Sequence, residues 1–143
     1  MKAGTLFVVV PVVLLMSLLL TNESLAQTHE VRINRNFQPD PIVINGKSGG
    51  TRPTKCGNIS PGASQVIEVT DSIPYLRLTV ESGGKPTILI DGPGGRFCVL
   101  PDQYSQDKPE FSGFWQAGKY SVSVGNLSEG QYTYTISISQ QKK

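Results

Sequence analysis

Histidine is nearly absent from this chain: His29 is the only one. A serine triad needs Ser, His and an acid brought together, and His29 stands where a processed N-terminus is expected to fray. Cysteine is as scarce, with Cys56 and Cys98 alone. A zinc centre takes about four ligands, which two cysteines and a remote histidine do not supply. Charge is thin: 17% of residues are Asp, Glu, Lys or Arg, below the usual ~25%. The net charge is +2 and the positive residues are scattered. No basic stripe marks a nucleic-acid partner. After residue 27 no long segment has helical periodicity, and no second apolar run approaches the ~20 residues of a membrane span.

The one long apolar run lies at the start, in MKAGTLFVVVPVVLLMSLLLTNESLAQ. Lys2, an apolar stretch over residues 6–20 and the small-residue ending Ser24-Leu25-Ala26 make a secretory signal peptide over residues 1–26. The expected cut after Ala26 exposes Gln27. Pro11 and the shortness of the run argue against a membrane anchor. The product is expected to be secreted or periplasmic, with no membrane span after cleavage. Roughly 115 residues then remain, enough for one domain with one core. In an oxidising compartment two cysteines read as one disulfide, Cys56 to Cys98. Two free thiols or half of a metal site are the alternatives. The bridge would be worth ~4 kcal/mol in the chain-entropy account.

Short alternating runs separated by Gly, Pro, Asn and Asp fill the rest, the pattern of a sandwich or barrel. In YSVSV (residues 120–124) and YTYTISIS (residues 132–139) apolar and polar residues take turns, so one face is buried and one wet. The loop GNLSEG between them predicts a hairpin that pairs the two strands. In YLRLTVES, Leu76, Leu78 and Val80 share the inner face; in SQVIEVTD, Ile67 and Val69 do. PTILID, RFCVL and PIVIN complete the set. The expected fold is all-β: a two-sheet antiparallel β-sandwich, jelly-roll-like, of about seven or eight strands. Residues 27–55 are expected to form an N-terminal arm and first strand, with the domain over 56–140.

The order YLRLTVESGGKPTILIDGPGGRFC, then a polar loop, then FSGFWQAGKYSVSVGN, then QYTYTISIS resembles the bacterial pre-peptidase C-terminal (PPC-like) domain family. It is most similar to small exported single-domain members from cyanobacteria. The A-G-x-Y-x-V-x-V-G segment (Ala117, Gly118, Tyr120, Val122, Val124, Gly125) and the closing Y-x-Y-x-I-x-I strand carry much of the likeness, which spans residues 56–139. The resemblance implies a β-sandwich that accompanies exported enzymes or stands alone and does no chemistry. It also implies calcium binding or extracellular-polymer binding in some relatives. The family's first acidic position reads Gly84-Lys85-Pro86 here, and its second reads Cys98-Val99-Leu100-Pro101-Asp102, so both acidic features are missing or displaced.

The segment DGPGGRFCVLPD (residues 91–102) is open to three readings. A phosphate loop would need Lys-Ser/Thr leading into a helix, and neither follows. A calcium loop needs about six to eight oxygen ligands; Asp91, Asp102, Asp107 and Glu110 are the candidates. A tight hairpin needs only Pro93 to set φ, Gly94 and Gly95 to supply positive φ, and Cys98 to tie the following strand. The hairpin is the expectation, with no cofactor. Glycosidase chemistry needs two carboxylates across a cleft, and nothing separates Glu68, Glu81, Glu110 and Glu129 from surface acids. Tyr104, Phe111, Phe114 and Trp115 lie in or beside YSQDKPEFSGFW. Tyr104, Phe111 and Trp115 are the candidate ligand-binding residues, since an exposed ring among polar neighbours suits a sugar. Alternatively Phe114 and Trp115 cap the open end of the sandwich. Asn58-Ile59-Ser60 and Asn126-Leu127-Ser128 match the glycosylation pattern. The function expected is a non-catalytic binding or accessory module outside the cytoplasm, with an extracellular polymer or protein as partner. A carbohydrate-binding module, a calcium-dependent adhesion module and a small hydrolase are the alternatives.

Overall fold

The computed structural model describes residue 4 and residues 30–60, 64–102 and 108–142. The expected leader, apart from residue 4, lies outside the described residues, as do His29, Tyr104 and Asp107. Eleven strands and no helix appear among the described residues. They are β1 (Glu30–Ile33), β2 (Ile42–Gly49), β3 (Pro53–Thr54), β4 (Gly57–Asn58), β5 (Ser64–Val69), β6 (Ile73–Ser82), β7 (Pro86–Gly92), β8 (Gly95–Val99), β9 (Glu110–Trp115), β10 (Gly118–Asn126) and β11 (Gln131–Ser139).

Two sheets form, of seven and four strands. In the larger, β10 is central. β5 and the short β4 follow each other along one side of it, and β7 runs along the other. β1 lies outside β5, β3 outside β4, and β8 outside β7. The smaller sheet has the order β2-β11-β6-β9. All pairs are antiparallel except β1 with β5. The strand count exceeds the expected seven or eight because residues 30–54, read as an arm with one strand, supply three, and β4 and β9 fall in segments read as loop and turn. β1 extends the larger sheet and β2 pairs along eight residues of β11.

The core lies between the sheets and follows the period-2 pattern. Leu76, Leu78 and Val80 of β6, Tyr120, Val122 and Val124 of β10, Ile67 and Val69 of β5, Ile88 and Ile90 of β7, and Ile136 and Ile138 of β11 are buried together in one cluster. Burying each such side chain is worth roughly 1.5–3 kcal/mol. Two or three of them therefore match the whole contribution of the disulfide, and the sandwich is held mainly by its interior.

The expected hairpin between the last two strands does not form. β10 and β11 lie in opposite sheets, so the loop between them crosses the sandwich. Alternation specifies which face of a strand is buried, not which strand lies beside it. Both strands point their apolar residues inward, and across the core satisfies that as well as side by side does. Asn126 fixes the crossing. Its Oδ1 accepts the Lys85 N–H at 3.0 Å and the Ser128 N–H at 2.9 Å, and its Nδ2 donates to the Gly83 carbonyl at 2.9 Å. The end of β10 is thereby locked to the β6–β7 turn. Asn126 is fully buried, which removes it as a glycosylation acceptor.

Candidate functional site

The segment DGPGGRFCVLPD is a hairpin. Gly92 pairs with Gly95 and leaves Pro93-Gly94 as the turn between β7 and β8. Of the two glycines expected at positive φ, only Gly95 is there, at 114°. Gly118 packs against this turn. A Cβ on it would meet Pro93 Cγ at 2.5 Å, and its φ is 146°, so only glycine suits the contact. Cys98, in β8, is bonded to Cys56 with Cα atoms 5.7 Å apart, closing a separation of 42 residues. Asp91 and Arg96 face each other across the hairpin and form an ion pair at 2.9 Å. The Asp91 carboxylate is thus already engaged by a cation. Among the described residues no group of three His, Cys, Asp or Glu side chains is gathered where a metal ion could be held. The structure does not bring Asp91 and Asp102 into such a group, and Asp107 lies outside the described residues.

Five of the chain's aromatic residues gather beside this hairpin. β8 is an outer strand of one sheet and β9 of the other, and contact between their rings puts both on the same open side of the sandwich. Phe97 of β8 and Phe111 of β9 have ring centroids 5.8 Å apart. Phe111 meets Trp115 edge-on at 5.5 Å, and Trp115 lies 4.7 Å from the Tyr120 ring. A notch of about 220 Å³ opens here, lined by Ile90, Phe97, Phe111, Phe114, Trp115 and Tyr120. Its outer rings are exposed: Phe97 keeps 45% of its surface and Phe114 66%. Its inner end is closed. The Tyr120 hydroxyl donates to the Gln116 carbonyl at 2.7 Å, and burial pushes this phenol above the usual tyrosine value.

Trp115 corrects the expectation that it stacks on a ligand. It is 1% exposed, so neither ring face is open to a sugar. Phe111 lies four positions before it, an even offset, so both rings point into the sandwich, while Phe114 leaves β9 from the opposite face and stays exposed at the rim of the notch. Trp115 caps the open end of the core, as the alternative reading held, and Phe114 does not. Among the described residues the indole Nε1–H finds no hydrogen-bond partner. Phe111 is half-buried in the notch wall. Phe97 was not singled out from sequence. Its signal was weak, a lone ring in a five-residue strand whose outermost position depends on pairings far along the chain.

Three of the four candidate glutamates stand in ion pairs. Glu68 meets Arg32 at 3.3 Å, Glu81 meets Lys108 at 3.5 Å and Glu110 meets Arg77 at 3.9 Å. The Glu68 carboxyl lies below the usual carboxylate range, first because Glu30 hydrogen-bonds to it and then because Arg32 is near. Glu81 and Glu110 share a polar cleft of about 350 Å³ on the outer face of the smaller sheet, which Arg77 and Lys108 also line. A glycosidase acid sits in an apolar pocket or against a second carboxylate, and here each carboxylate has its own cation.

No family model matches the chain. An uncharacterized protein of Synechococcus elongatus is 34% identical to it over 120 residues, covering 81% of this chain and 86% of that protein. Among solved structures the chain is similar to the pre-peptidase C-terminal domain of collagenase from Bacillus anthracis, at 15% identity and TM-score 0.49 over 78% of this chain and 96% of that one. It is also similar to Aeromonas hydrophila PliG, a periplasmic lysozyme inhibitor of g-type lysozyme, at 16% identity and TM-score 0.38 over 79% of this chain and 98% of that one.

Proposed function

The chain belongs to the family of the Synechococcus elongatus protein, and we propose that it works outside the cytoplasm as a non-catalytic binding module. The observation that carries this reading is the aromatic notch. Single exposed apolar residues are ordinary on a protein surface. Two exposed rings over a shaped apolar hollow are not, and such features mark contact sites. The disulfide suits an oxidising compartment, as does the leader expected over residues 1–26. The ion-paired acids and the single histidine favour binding over chemistry. No cofactor is required. The carbohydrate reading built on Trp115 is not retained, because its ring face is covered.

The test is retention of extracytoplasmic components by the purified, immobilised chain against its Phe97→Ala/Phe114→Ala variant. The reading expects a saturable component held by the parent and lost by at least tenfold in the variant. Equal retention by both would contradict it.

A further inference from the structure

We propose that the pocket beside the Cys56–Cys98 bridge is a modification site, where a small anionic thiol attacks Cys98 Sγ and is held there as a mixed disulfide. The proposal goes beyond the binding-module reading and does not depend on what occupies the notch.

The bridge lies on the outer face of the larger sheet. Ile88 and Ile90 of β7 turn inward, so Leu89 and its cross-strand partner Cys98 face outward. Arg96, two positions before Cys98 on β8, shares that face. Cys56 comes to it in the turn between β3 and β4. The Thr87 hydroxyl donates to the Cys56 carbonyl, and Gly125 beneath leaves room for the turn, since a Cβ there would meet that carbonyl oxygen at 2.6 Å. A pocket of about 410 Å³ opens beside the bridge, lined by Thr54, Lys55, Leu89 and Arg96 together with both cysteines. That volume is in the range of small-ligand sites.

The two sulfurs are not equivalent. Cys98 is exposed, whereas Cys56 is only 3% exposed. Access decides which sulfur of a disulfide an attacking thiolate meets. The incoming sulfur bonds to Cys98 Sγ, the bond between the two cysteine sulfurs breaks, and its electron pair leaves on Cys56 Sγ, which takes a proton from water. The Cys56 sulfur is reduced and the incoming sulfur is oxidised, so the electrons balance within the step. Cys56 Sγ lies 3.5 Å from the Ile88 carbonyl oxygen, which can accept from the thiol that forms. The reverse attack, by Cys56 on Cys98 Sγ, expels the small thiol and restores the bridge.

Lys55 and Arg96 set the class of thiol. Both are exposed at the pocket wall. A cation beside the site favours the thiolate that attacks and the negative charge that the sulfurs share in the transition state. Carboxylates elsewhere on the thiol gain from the same side chains. Arg96 already pairs with Asp91 at 2.9 Å, so Lys55 is expected to carry the larger share. The turn keeps other ties when the bridge opens. The Cys56 N–H donates to Thr54 Oγ1 at 3.0 Å, and the Thr54 hydroxyl donates to the Gly57 carbonyl at 2.7 Å. Exchange therefore proceeds in the folded chain.

The test uses the full oxidised chain without denaturant. It is treated with glutathione, which is anionic, with neutral 2-mercaptoethanol or with cationic cysteamine. Early samples are quenched in acid, alkylated with N-ethylmaleimide and mapped by peptide mass. Each rate is divided by that of the same thiol with bis(2-hydroxyethyl) disulfide, which removes the thiols' own differences in reactivity. The proposal expects the added thiol on Cys98 and the alkyl group on Cys56, at least tenfold over the reverse. It expects a rate linear in thiol concentration. The normalised rate should be at least fivefold higher for glutathione than for cysteamine. Lys55→Gln should cut that ratio at least threefold and Arg96→Gln by less, both with unchanged circular dichroism spectra. A mixed disulfide on Cys56, or equally on both cysteines, overturns the proposal. A rate that levels off as thiol rises means that the chain must open first, and overturns it too. Equal normalised rates for the three thiols overturn the anionic class. The binding-module reading survives each of these failures, since its own test is retention through Phe97 and Phe114.

Discussion

Two corners of this sandwich end in opposite ways. At the Asn126 corner a buried amide meets three backbone partners and closes the loop that crosses between the sheets. At the β8–β9 side, Phe97 and Phe114 remain exposed, and the indole Nε1–H of Trp115 behind them has no partner among the described residues. The first corner spends polar groups on holding the chain in place. The second leaves apolar surface without cover. Asn126 serves the fold and is satisfied within the molecule, whereas the exposed Phe97 and Phe114 rings leave apolar surface that a partner would cover.

Substitutions can break this contrast, and the largest effect should come from the bond that anchors the notch wall. Replacing both Cys56 and Cys98 with Ser frees β8 and lengthens the unfolded chain's freedom, with an expected loss of about 4 kcal/mol, read by urea denaturation. Asn126→Ala comes next. It leaves two N–H groups and a carbonyl without their side-chain partner, for about 3 kcal/mol. For a domain near this size that is a fall in melting temperature of roughly 10–20 °C.

Tyr120 joins the two regions, since its ring lines the notch while its hydroxyl is held inside. Its folded pKa lies above the model-compound value of 10.0 because burial disfavours the phenolate. A group raised on folding supports the fold fully below its unfolded pKa and loses that support as pH rises toward the folded one. Stability should therefore decline above pH 10 in denaturant titrations, and Tyr120→Phe should flatten that decline. The smallest effect on stability belongs to Phe114→Ala. Its ring is 66% exposed, so the melting transition should stay within about 0.5 kcal/mol of the parent, although binding is expected to fail.

The inner faces of the strands were legible from alternation. Leu76, Leu78, Val80, Tyr120, Val122, Val124, Ile136 and Ile138 are buried as their spacing implies. The disulfide was legible from two cysteines behind a leader. Strand neighbours were not. YSVSV and YTYTISIS look like a hairpin because they are close in sequence and patterned alike, yet the pattern is equally met by facing sheets, and Asn126 decides between them. The notch was half legible. Phe111 and Trp115 drew notice as aromatics, but the parity that turns Trp115 inward and Phe114 outward depends on where β9 begins. Phe97 reaches them only because β8 and β9 are both outermost, a fact set by pairings with β7 and β6. Residues 30–54 were undervalued because their pairing partners, β5 and β11, lie far along the chain.

The most direct test of the account is photo-crosslinking in the source organism from a benzophenone side chain placed at position 114 or, as a control, at position 43. Val43 is comparably exposed, at 53%, but sits on β2, at the far edge of the smaller sheet. The account predicts a discrete extracytoplasmic protein adduct from position 114 and none from position 43. Equal, diffuse labelling from both positions would contradict it.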